Sequence, residues 1–475
     1  MVKKHKSMCL LCSMGCGFII ETMFDEAVNL EYDRDDPVGK GALCSKGNFA
    51  LELLNHPLRL IEPRTGSKTL NRTDAFHRLA VELTPLARES SVGLILSGDV
   101  SVEDAATAKL FAEKCLNNGH CAVYCATGDD KVFRALADAS IPNPPAQVDD
   151  IENARCMVAV GDPFEVSPVI AGRVLHAKYA QRGTILAAVS KKPNRTSRFA
   201  SIHLIGQERR TLAELLRVIS DITGESAPAW KRIVKDKFPA PDDPAVVKLG
   251  SAFVTTPSAV MILETQDPVT AQLAALIVGA AGTDKRLYST CTYGNAAGIC
   301  HVTAGMKTVD DIIDAAHRDE LKALIVLGAD IHRLNSDGKV KSALEKMHYL
   351  VAGAPFENAT TRRADMVLPT ALWLETEGTF NGRYVMPVVE PPGGALSCGE
   401  ILKRIAHEME CALPPVSIES VLSLHEPTEE LIESILENSD VPAPEPACAS
   451  TAVRYADGSL TDLMSWVMLQ ERKAW

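Results

Sequence analysis

No stretch of the 475-residue sequence is apolar over enough residues to span a bilayer. The first residues hold no twin-arginine pair and no secretory apolar segment: Lys3, Lys4 and Lys6 lead straight to Cys9. A basic surface is lacking too. Net charge is −12, from 49 Lys and Arg against 61 Asp and Glu, which argues against general binding to nucleic acid or anionic membranes. What the sequence has in excess is cysteine, thirteen residues with nothing to mark the chain as secreted. A reducing, cytoplasmic location with thiols kept for metal is the expectation. At this length about three domains with sizeable cores are expected.

Four of the cysteines, Cys9, Cys12, Cys16 and Cys44, follow the spacing C-x2-C-x3-C-x27-C. Four thiolates hold a cubane iron–sulfur cluster, and the tight spacing of the first three lets one loop wrap three corners. Gly15 and Gly17 flank Cys16 and let the backbone approach a bulky group. Phe18 to Glu31, apolar runs broken by Asp25-Glu26, reads as a hairpin that returns the chain toward Cys44. Zinc is the competing occupant, but structural zinc sites pair C-x2-C with a second short pair, which this spacing lacks. The expectation is a [4Fe–4S] cluster in a small N-terminal domain, residues 1–62. Cys291, Cys300, Cys398 and Cys411 form no tight ligand spacing and are expected as buried core thiols.

The rest of the chain alternates short apolar strands with helices, the signature of an α/β fold with parallel sheets. Asn55 to Arg64 is a proline-bounded connector, and Thr73 to Leu86 reads as a helix capped by Asp74. Strands are expected at Val92–Gly98, Ala154–Gly161, Thr184–Val189, Val260–Leu263, Ala323–Gly328, His348–Ala352 and Ala364–Pro369. Val158 to Asp162 and Val326 to Asp330 look like equivalent positions in two halves. Such turns, at the C-terminal ends of strands, are where open α/β sheets bind nucleotides.

Cys9-Leu-Leu-Cys12-Ser-Met-Gly-Cys16, with Gly41-Ala-Leu-Cys44-Ser-Lys46-Gly47, resembles the N-terminus of molybdopterin oxidoreductases. That family includes formate dehydrogenases, formylmethanofuran dehydrogenase and the large iron–sulfur subunit of complex I. Further pieces extend the resemblance over roughly residues 8–410. They are Asp150 to Arg155 with Gly161-Asp162-Pro163, then Gly294-Asn295-Ala-Ala-Gly298, Ala364 to Pro369, and Glu377 to Arg383. The resemblance implies two interleaved Rossmann-like α/β domains, one from 63–124 with 305–410 and the other from 125–304. Residues 411–475 would be a linker and a short helical docking tail, with helices from Ile418 to Leu436 and from Leu460 to Trp475. It also implies a molybdopterin guanine dinucleotide with molybdenum or tungsten. Lys46 would lie between cluster and pterin; Gly161, Asp162, Pro163, Gly294, Asn295 and Gly298 would border the cofactor. Cys125, in Gly119 to Gly128, matches the protein ligand to the metal, and a soft thiolate suits such a centre. In the plain structural reading, Cys121 and Cys125 share one helical face.

Three departures bear on that cofactor. Ala126 stands where formate-oxidising relatives carry a histidine, and no other residue of the loop replaces a proton-handling group. Ser190-Lys191-Lys192-Pro193 and Ile205 to Glu208 replace the family's Asp-Pro-Arg and Pro-Gly-Thr-Asp stretches. Glu377 to Phe380 runs almost directly into Asn381-Gly382-Arg383. The resemblance implies that the β-rich domain that closes over the dinucleotides in catalytic relatives has no counterpart after about Glu410; either a separate cap subunit would supply it, as in formylmethanofuran dehydrogenase, or it would be dispensable, as in the complex I subunit that keeps the fold and conducts electrons. Three functions follow as expectations. One is an electron-relay subunit with a vestigial pterin site, joined to iron–sulfur or flavin partners. Another is a catalytic formate or formyl-group dehydrogenase subunit using Cys125. The last is an assembly scaffold with a structural metal.

Overall fold

A computed structural model of the protein describes residues 2–139, 143, 145–224, 230–333, 338–416 and 429–439. The chain opens with three antiparallel strands, β1 (Lys3–Met8), β2 (Gly17–Met23) and β3 (Glu26–Tyr32). The β2–β3 hairpin turns on Phe24 and Asp25, both at positive φ, a pair of left-handed residues that suits a tight two-residue hairpin. β1 is an addition to the sequence reading. Its lysines face solvent, so it carries no apolar signal, and its backbone pairs along the whole of β2.

Two parallel sheets follow. β4 (Arg64–Thr65) and β5 (Lys68–Thr69) form a small antiparallel edge. β6 (Val92–Ser97) and β7 (Cys121–Tyr124) start the first sheet, and the chain then leaves it. β8 (Cys156–Val160), β9 (Ile185–Ser190), β10 (Ile202–Ile205), β11 (Val260–Glu264) and β12 (Arg286–Thr290) make the second sheet, in the order β10-β9-β8-β11-β12. β13 (Ala323–Leu327), β14 (Tyr349–Ala354) and β15 (Met366–Pro369) return to the first sheet, whose order is β5-β4-β15-β14-β13-β6-β7. A hairpin of β16 (Gly378–Phe380) and β17 (Arg383–Val385) lies beyond.

The central strands are apolar almost throughout because helices cover both faces. Residues alternate between two cores. Leu94 and Leu96 face one side of the first sheet and Ile95 the other; in the second sheet Cys156, Val158 and Val160 oppose Met157 and Ala159. Each sheet reverses its winding direction once, between β6 and β13 in the first and between β8 and β11 in the second. These switch points fix where a ligand can enter.

The structure revises several expectations. The helix Arg72–Arg88 is capped by Asn71, whose side chain accepts from the Asp74 N–H, while Asp74 sits in the first turn. Cys121 lies in strand β7 and Cys125 just beyond it, so the two share no helical face. Cys411 is not a free core thiol: it is disulfide-bonded to Cys115. The packed helices Val102–Lys114 and Cys398–Glu408 bring those two positions together from 296 residues apart. Of the C-terminal tail, the helix Glu429–Glu437 packs Ile432, Ile435 and Leu436 into the core of the second sheet. Residues 417–428 and the segment from Leu460 to Trp475 lie outside the described residues. Among the described residues no helix is long and apolar enough to cross a membrane.

Candidate functional site

The loop from Cys9 to Cys16 joins β1 to β2 and closes on itself through a 2.8 Å bond from the Cys9 N–H to the Cys16 carbonyl. Cys44 caps the short helix Ser45–Asn48. Cys9, Cys12, Cys16 and Cys44 all line one cavity, walled by Met14, Leu43 and Pro168 among others. Among the described residues no three His, Cys, Asp or Glu side chains converge on a single-ion site; the four thiols surround a space instead. The Leu11 N–H points at the Cys9 sulfur from 3.5 Å. Burial pushes the Cys9 and Cys16 thiols well above their usual range, and the neighbouring Cys12 pushes them further. Thiols gathered in one buried space become thiolates together only around strong positive charge. That donor set suits an iron–sulfur cluster.

The glycines are needed here. A Cβ on Gly17 would lie 2.4 Å from Asp36 Cγ. Asp36 Oδ2 accepts from the Gly17 N–H at 2.8 Å and from the Gly39 N–H, while Oδ1 pairs with Arg383 Nη1 at 2.7 Å. Arg383 also donates to the Gly15 carbonyl. Asp36 and Arg383 therefore clamp both sides of Cys16. Sequence reasoning missed Asp36: in the charged run Asp33-Arg34-Asp35-Asp36 no local pattern singles it out.

Lys46 is 7% exposed and donates to the Val166 carbonyl at 3.0 Å. It ties the Cys44 helix to the segment Pro163–Val166, and so to Gly161, Asp162 and Pro163 at the end of β8. There the second sheet's switch point is already filled. Gly161 holds φ +76°, and a Cβ on it would lie 2.2 Å from the Glu264 carbonyl oxygen. The Asp162 N–H, at the start of a helical turn, donates to Glu264 Oε2 at 3.1 Å. The Asp162 carboxylate accepts from Thr196 Oγ1 at 2.6 Å and from the N–H groups of Arg195 and Thr196. Asp330, beyond β13, does the same for Thr360 and Ala359. The two positions that looked equivalent in sequence thus perform one task, fixing the turn after the next strand.

Gly294, Asn295 and Gly298 are likewise spent internally. The Gly294 N–H donates to Asp99 Oδ1 at 2.8 Å, and a Cβ there would lie 2.0 Å from the Leu10 carbonyl oxygen. Asn295 is fully buried; its amide donates to the Val100 carbonyl at 2.6 Å and its oxygen accepts from the Asn381 N–H at 2.8 Å. A Cβ on Gly298 would meet that same Asn295 oxygen at 2.1 Å. This loop pins the cluster loop to the end of β6 and to the β16–β17 hairpin.

Cys125 is 5% exposed and lies over Gly98, where a Cβ would be 2.3 Å from its sulfur. Burial raises its thiol well above the usual range, and Asp130, Asp129 and Asp99 raise it further. A cavity larger than that of the four thiols lies at the first sheet's switch point, between β6 and β13. Ser97, Asp99, Asp104, Gly328, Trp373 and Cys398 are among its lining. Burial pushes the Asp104 carboxyl up to about 6, against the pull of hydrogen bonds from Ser397 and the Gly399 N–H.

Comparison with known proteins places this geometry. The molybdopterin oxidoreductase Fe4S4 domain matches residues 2–56, which hold all four cysteines, and the molybdopterin oxidoreductase domain matches residues 74–408. The chain belongs to the molybdopterin oxidoreductase family. It is 24% identical over 480 residues to the F420-dependent formate dehydrogenase subunit alpha of Methanocaldococcus jannaschii, covering 85% of this chain and 70% of that protein. It is also 24% identical over 504 residues to a nitrate reductase of Symbiobacterium thermophilum, covering 85% of this chain and 66% of that protein. The fold matches that of acetylene hydratase from Pelobacter acetylenicus with a TM-score of 0.68 at 14% identity, covering 86% of this chain and 69% of that one. The two matched domains are the ones that, in this family, hold a [4Fe–4S] cluster and a molybdopterin-type cofactor.

Proposed function

We propose that this chain is the iron–sulfur electron-transfer subunit of a larger redox complex, with its pterin site closed in the second-sheet half. Cys9, Cys12, Cys16 and Cys44 hold the cluster, and electrons enter and leave through partner subunits. The observation that carries the reading is the contact between the Asp162 N–H and Glu264 Oε2. A helix-start N–H at a switch point is where a nucleotide phosphate docks. Here the protein's own carboxylate takes that place and would repel a phosphate.

The Cys125 surroundings do not fit a molybdenum or tungsten ligand. A ligand needs a thiolate facing open space, whereas this thiol is packed onto Gly98 and lines neither cavity described above.

A second reading is favoured by the cavity between β6 and β13 and by relatives named as formate dehydrogenase alpha subunits. In it the chain is a formate or formyl-group dehydrogenase subunit that carries the pterin and uses Cys125. Cys125→Ala separates the two. On the relay reading, iron content and the rate of cluster reduction by the native partners are unchanged; loss of formate-dependent reduction with iron retained would establish the second reading instead.

A further inference from the structure

Tyr288 sits on β12, the edge strand, with its backbone paired to Ile262 of β11. Alternation along the strand sends Leu287 into one core and Tyr288 to the opposite face, where Cys12, Met14 and Cys16 pack. Its hydroxyl donates to Met14 Sδ at 3.4 Å. A thioether is a weak acceptor, and a buried tyrosine hydroxyl normally finds a better one. Met14 lines the same cavity as the four thiols. A phenol is protonated at neutral pH and donates its O–H. The result is a permanent O–H donor at the Cys12–Cys16 side of the cavity, with only a soft, displaceable partner.

We propose that Tyr288 is a positioning residue for the cluster, its O–H donating to a cluster or cysteine sulfur at the Cys12–Cys16 corner. The inference rests on the reading of the four cysteines as cluster ligands. A reduced cluster carries one more negative charge, so a donor at sulfur stabilises the reduced form and raises the potential.

The test is a redox titration of the reduced-cluster paramagnetic signal in the full chain with its partners attached. Tyr288→Phe keeps the ring and removes the donor. The variant is expected to keep its iron and to shift the reduction equilibrium about tenfold toward the oxidised form, a fall of about 59 mV for one electron. Met14→Leu removes the competing acceptor, frees the donor and is expected to raise the midpoint. An unchanged midpoint in Tyr288→Phe, or a fall in Met14→Leu, overturns the inference. No cluster signal in the unsubstituted chain overturns the cluster assignment itself.

Discussion

Cys12→Ala is expected to remove essentially all iron, from about four atoms per chain to near none, and to open the N-terminal domain. The cysteine is both a ligand and a packing element. Cys12, Met14 and Cys16 share one buried cluster of side chains with Ile151, Phe164 and Ile170, on the face of the second sheet that carries Met157 and Ile262. Binding free energy of such a centre is folding free energy. Loss of iron should therefore appear with faster proteolysis near residues 9–47, while the two parallel sheets hold. Cys300→Ser is the control. Cys300 lies outside the cavity lining and should leave iron unchanged. Full iron retention in Cys12→Ala, measured after anaerobic purification, would contradict the four-cysteine assignment.

Glu375→Ala is expected to cost about 3–5 kcal/mol, because it strands a buried guanidinium. Arg59 Nη1 and Nη2 meet the two Glu375 oxygens at 2.6 and 2.7 Å, and the side chains are 4% and 1% exposed. Glu375 Oε2 also accepts from the Leu372 N–H at 2.7 Å, and the guanidinium lies 5.5 Å from the centre of the Phe356 ring. The pair joins the connector after the cluster domain to the chain leaving β15. Replacing both partners by apolar residues, Arg59→Met with Glu375→Leu, should recover most of the loss, since no charge is then left buried. Thermal unfolding of the two variants checks this. A double variant as unstable as Glu375→Ala would mean the pair contributes far more than the mere avoidance of a stranded charge.

These two cases show what a single sequence exposes and what it hides. The cluster motif was legible because its chemistry is local: three cysteines within eight residues and two glycines around Cys16. The central strands were legible because burial on both faces makes them unbroken apolar runs, as in Val92–Ser97, Cys156–Val160 and Ala323–Leu327. β7, β10 and β12 were missed because they are short edge or near-edge strands, and β12 (Arg-Leu-Tyr-Ser-Thr) is largely polar. The long-range pairs could not be read at all. Asp36–Arg383, Arg59–Glu375 and Cys115–Cys411 each span about three hundred residues or more, and no local pattern announces them.

The site residues divide on the same line. Gly161 and Asp162 were found because a strand–Gly–Asp turn is a local signal for a ligand-bearing position. What the turn does depends on Glu264, about a hundred residues away, whose carboxylate reads in sequence as an ordinary strand end. Gly294 and Asn295 were marked only by the resemblance to the family's glycine–asparagine loop, and their partners Asp99, Val100 and Asn381 turn the loop into a structural pin.

The most direct measurement is elemental analysis for iron, molybdenum and tungsten on the chain purified without oxygen, with its native partners attached. The relay reading predicts about four irons per chain and neither heavy metal in stoichiometric amount. Iron together with near-stoichiometric molybdenum or tungsten bound to this chain would contradict it.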